Sequence, residues 1–112
     1  MRYLLAFIVA AAASPVFAVD FDPKKFSQIC VGSLTSKQEQ LPFTAIDKKL
    51  QIAMQVDEFL KIWFAQNDQS PPNALVRLTT VNKTREMIER DFNVLEISQI
   101  NETCLDWLEE NK

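Results

Sequence analysis

The chain has 112 residues, with 12 Lys plus Arg against 15 Asp plus Glu, no histidine and a single glycine. A net charge of −3 repels phosphate backbones and anionic lipid, so nucleic acid and membrane surfaces are poor partners. Without histidine the usual general base, the Ser or Cys relay and most zinc and haem sites are missing, and neither an enzyme nor a cofactor is expected.

Residues 1–18 read as a cleavable signal peptide. Arg2 precedes an apolar run from Tyr3 to Ala13, and Pro15 leads into Val16 and Ala18, small residues at the positions that signal peptidase reads. Cleavage is expected before Val19. The apolar run falls short of the roughly 20 residues of a membrane span, so no stable insertion of the mature chain is expected. Losing Arg2 takes the net charge from −3 to −4. Residues 19–112 then form one helical domain, exported to a bacterial periplasm in the first reading and to the extracellular medium in the second.

Export places Cys30 and Cys104 in an oxidising compartment, where an even count of cysteines reads as a disulfide. Closing a loop of about 75 residues is valued at roughly 4.5 kcal/mol in the chain-entropy picture, a large share of a small domain's stability.

The lone Gly32 argues against short strands joined by tight hairpins, which need glycine. A first helix is expected from Asp22 as N-cap and Pro23 at its first position, with Phe26, Ile29, Cys30 and Leu34 at helical spacing and an end near Gln38 to Gln40. Thr44-Ala45-Ile46-Asp47 resembles a capping box for a second helix running to about Gln66, with Asn67 as a left-handed stop. Ile46, Leu50, Ala53, Leu60 and Phe64 share one face of it, and Ile52, Val56, Phe59 and Trp63 widen the apolar arc past half the circumference. Such a helix is covered on two sides, which makes this second helix the expected centre of the core.

Ala74 through Val81 carry the β-branched content of a strand, and an α+β fold with residues 75–81 as a strand is the alternative. Helical spacing nevertheless aligns Ala74, Leu75, Leu78, Val81, Ile88 and Phe92, so a third helix is preferred, with a break near Asn82 left open. A last helix from about Ser98 to Asn111 places Ile97, Ile100, Cys104, Leu105, Trp107 and Leu108 on one face, and Glu102, Asp106, Glu109 and Glu110 on the other. The expected fold is therefore all-α: a small four-helix up-and-down bundle whose first and last helices are neighbours joined by the Cys30–Cys104 bridge.

Two charges interrupt apolar faces: Asp57 on the second helix and Arg85 on the third. The plainer account gives Asp57 an ion pair with Lys61 and lets Arg85 reach solvent at the rim. The sharper one has the two meet as a buried pair or line a groove for a partner. Trp63 and Trp107 are large enough to anchor an interface, though core packing explains them more simply. The sequons at Asn82 and Asn101 sit beside apolar residues where a glycan would crowd the packing, and chance occurrence is preferred.

An exported, acidic, helical domain without catalytic equipment points to binding. The leading expectation is a module that binds another protein, such as an inhibitor or an immunity-type protein against an envelope-targeted toxin. In size, export and single disulfide the chain is similar in general plan to small helical immunity proteins, with no signature residue to match. A periplasmic envelope-stress chaperone and a small carrier of apolar ligands are the alternatives, and a dimer stays open.

Overall fold

A computed structural model describes residues 25–111. The signal peptide, its cleavage site and the Asp22–Pro23 helix start lie outside the described residues. Four helices follow one another: α1 Phe26–Gln40, α2 Ile46–Gln66, α3 Ala74–Asp91 and α4 Val94–Glu110. No strand occurs among the described residues, and α3 runs through both residues 75–81 and Asn82 without a break. Cys30 on α1 and Cys104 on α4 form the disulfide, with Cα atoms 5.8 Å apart.

Contacts fix the direction of each helix. Ser27 near the start of α1 donates to Gln66 at the end of α2, and Gln38 near the end of α1 donates to the Lys49 carbonyl near the start of α2, so these two run antiparallel. Gly32 lies against Thr84 and Ile88, and Ser36 donates to Glu89, which sets α3 parallel to α1. Cys30 joins Cys104 and Ser33 meets Asn101, so α4 is antiparallel again. The connectivity is up-down-up-down.

The centre of the bundle is α1, not the more apolar α2. Residues 30–36 are buried without interruption. At about 100° per residue, the side facing α2 (Ser27, Gln38), the side facing α3 (Gly32, Ser36) and the side facing α4 (Cys30, Ser33) stand roughly a third of a turn apart. Three helices therefore sheathe one. Small side chains permit this, because they let neighbouring backbones close in, and a helix covered all round needs no amphipathic stripe. Its hydroxyls are satisfied internally: Ser27 by Gln66, Ser33 by Asn101 and the Ile97 carbonyl, Thr35 by the Val31 carbonyl and Ser36 by Glu89.

Helix α2 is accordingly buried along one side only, through Ile52, Val56, Phe59 and Leu60. The expected stripe splits: Leu60 is buried, whereas Ile46 and Leu50 are 69% and 60% exposed. The same holds for α3, where Val81 and Ile88 are buried but Leu75 and Leu78 face solvent. One end of the core is aromatic. Phe26, Phe59 and Trp107 bring rings from α1, α2 and α4 together with centroids 5.7 to 6.0 Å apart.

Three helix ends differ from expectation. The N-cap of α2 is Ala45, with no side-chain cap bond; the Thr44 carbonyl instead accepts the Ile46 amide. At the other end the left-handed residue is Asp68 (φ 55), one past Asn67, and it tolerates that region through its short polar side chain. Helix α4 begins four residues before Ser98. Asn93 and Glu96 form a full capping box, each side chain accepting the other's backbone amide at 2.8 and 2.9 Å.

Candidate functional site

Asp57 and Arg85 do not meet. Asp57 projects from the middle of α2 and is held by Arg77 of α3, whose Nε and Nη2 both lie 2.6 Å from its Oδ1. Lys61, its expected partner four residues on, pairs with Glu58 instead at 3.6 Å. The Asp57 and Arg77 side chains are 47% and 34% exposed, so theirs is a rim ion pair that pins α3 to α2.

Arg85 is the more buried cation, 22% exposed, and its Nη1 donates to Glu89 one turn on at 3.0 Å. Glu89 uses its other oxygen to accept from Ser36, so Arg85 is tied through a carboxylate to the central helix. Its Nε is buried and makes no hydrogen bond. Of the two tryptophans, Trp107 belongs to the ring cluster with Phe26 and Phe59, while Trp63 is half-buried with its ring edge-on to Phe64 at 5.7 Å.

What sequence reasoning missed is the surface made by unburied apolar residues. Phe43, Ile46, Leu50 and Met54 are 88%, 69%, 60% and 62% exposed. Ile46, Leu50 and Met54, four residues apart, stand in one row over the first turns of α2, the arrangement by which a helix presents anchors to another surface, and Phe43 lies in the turn just before the helix. Met54 lies one turn before Asp57 on α2. Across the ion pair, Leu78 follows Arg77 on α3, with Leu75 a turn earlier, and both are exposed. Two helices thus offer bare apolar side chains on either side of the Asp57–Arg77 pair. The sequence signal was present in the excess width of the α2 arc, which exceeds what one neighbour can cover.

A second feature is a groove of about 300 Å³ between the last turns of α1 and the first turns of α4, walled by Lys37 and Gln40 on one side and Ile97, Asn101, Glu102 and Leu105 on the other. Asn101 is 5% exposed and its Oδ1 accepts from the Ser33 hydroxyl at 2.6 Å. A glycan on Asn101 is incompatible with this burial. Among the described residues no group of ligating side chains could hold a metal ion, and no helix is long and apolar enough to cross a membrane. The described surface offers apolar anchors, the Asp57–Arg77 ion pair and a groove that carries both charges.

No family model matches the chain, and no curated protein or solved structure matches it.

Proposed function

We propose that this is a small exported protein-binding module, an inhibitor or immunity-type protein directed at an envelope-targeted toxin. The observation that carries the reading is the exposed row Ile46, Leu50 and Met54 on α2, with bare Phe43 in the turn before it and bare Leu78 beside Arg77 on α3. Monomeric soluble domains rarely leave large apolar side chains bare in a row, because each costs hydration free energy that a partner recovers. The disulfide supports export, since such bridges persist in oxidising compartments. The matching partner presents an apolar pocket for the row and a cationic rim answering this chain's acidic balance. A carrier of apolar ligands is less well supported, because Phe59 packs against Phe26 and Trp107.

Photo-crosslinking from position 50 in cells tests the reading, with position 106 on the exposed acidic side of α4 as control. One discrete crosslinked species at position 50, lost on Leu50→Asp with thermal stability unchanged, supports a dedicated partner. A ladder of many species would favour the chaperone, and no crosslink above the control would end the proposal.

A further inference from the structure

We propose that the groove between α1 and α4 binds a small zwitterion of the α-amino-acid class, its carboxylate at Lys37 and the Asn101 amide nitrogen, its ammonium at Glu102. The groove is separate from the apolar row of α2, and the inference does not depend on what that row binds. Three features converge there.

The first is a buried amide with an unused donor. Asn101 is 5% exposed, yet the only hydrogen bond of its side chain among the described residues is the one its Oδ1 accepts from Ser33. A side-chain amide carries two donor hydrogens, and the Asn101 nitrogen gives neither to another described side chain or carbonyl. The Asn101 Nδ2 is not sealed in the core but belongs to a residue lining the groove, where a ligand oxygen can accept from it.

The second is charge. Lys37 stands on the α1 wall and Glu102 on the α4 wall, both exposed, and neither takes part in an ion pair among the described residues. Opposite charges facing one groove without pairing each other recognise a molecule that carries both signs. An anion alone leaves Glu102 unanswered, and a cation alone leaves Lys37 unanswered.

The third is size and floor. About 300 Å³ is the lower end of the range for small-molecule sites, too small for a nucleotide and suited to a single amino acid. Ile97 is buried and Leu105 half-buried along the α4 side, which favours an aliphatic side chain on the ligand.

Nuclear magnetic resonance titration of the disulfide-bonded protein tests this, with L-leucine as probe. Saturable shifts are expected at the Asn101 side-chain NH₂ and at the Lys37 and Glu102 amides, with a dissociation constant below about 10 mM. 4-Methylpentanoate and 3-methylbutylamine, which each keep one charge, are expected to bind at least about tenfold more weakly. Lys37→Met and Glu102→Gln, both at exposed positions, should each weaken leucine about fivefold while leaving the circular dichroism unchanged. N-Acetyl-leucine binding as tightly as leucine would overturn the zwitterion in favour of a peptide C-terminus. Shifts that stay linear to about 20 mM, or that persist unchanged in both variants, would overturn the site.

Discussion

Gly32 marks where α1 and α3 pass closest. A Cβ built there would lie 2.5 Å from Cγ1 of Ile88, 2.7 Å from the Thr84 carbonyl oxygen and 2.9 Å from Thr84 Cγ2. The two side-chain atoms can move, but the carbonyl is backbone and can yield only if the helices separate. Gly32→Ala should therefore destabilise the domain by about 1–3 kcal/mol despite alanine's better helix propensity, as urea denaturation would measure. A gain in stability would mean that α3 shifts freely over α1. The Asp57–Arg77 pair gives the opposite expectation. At 47% and 34% exposure, solvent screening limits the pair to about 1 kcal/mol or less, so Asp57→Asn should barely move the denaturation midpoint, in contrast to the 3–5 kcal/mol or so of a buried pair. Arg85 was legible in sequence as a charge on an inward face, but its partner Glu89 one turn away was not singled out. The partner of Asp57 was not legible, because Arg77 lies 20 residues on and is brought across by packing.

Helix identity was readable from periodicity, and all four helices form. Helix rank was not. The run Val31-Gly32-Ser33-Leu34-Thr35-Ser36 does not read as a fully covered segment, because serine and threonine are ordinarily exposed. Here the buried hydroxyls find acceptors, which removes the usual reason to stay in water. The opposite error fell on α2, where a wide apolar arc suggested two covered sides and Ile46 and Leu50 at its start are bare. Hydrophobicity alone does not separate the face that packs from the face left bare. At the helix ends, Asn93-Val94-Leu95-Glu96 is a capping box in plain sequence, concealed by a helix start expected at Ser98. Asn93→Ala should cost about 1 kcal/mol, while Thr44→Ala, which removes no side-chain cap bond, should stay within about 0.5 kcal/mol. Equal losses at the two positions would contradict this assignment of the caps.

For the whole molecule, the disulfide ties the two helices farthest apart in sequence, 74 positions from one cysteine to the other. Reduction, or Cys104→Ala, should lower stability by about 2–5 kcal/mol, read as a shift of the urea midpoint. Leu50→Asp should leave stability within about 0.5 kcal/mol, since the side chain is 60% exposed, and thereby separates folding from binding.

The sheathing of α1 also sets the order in which the chain can become itself. Of the described helices, the first to emerge is the one that needs the other three in place, and the last of these, α4, carries Cys104. Until residues 94–110 are out, the Cys30 flank of α1 has no cover and its thiol no mate. A nascent chain stalled before that point holds its future centre open to water, to oxidants and to other thiols. The packing around α1 thus waits for α4 rather than growing helix by helix.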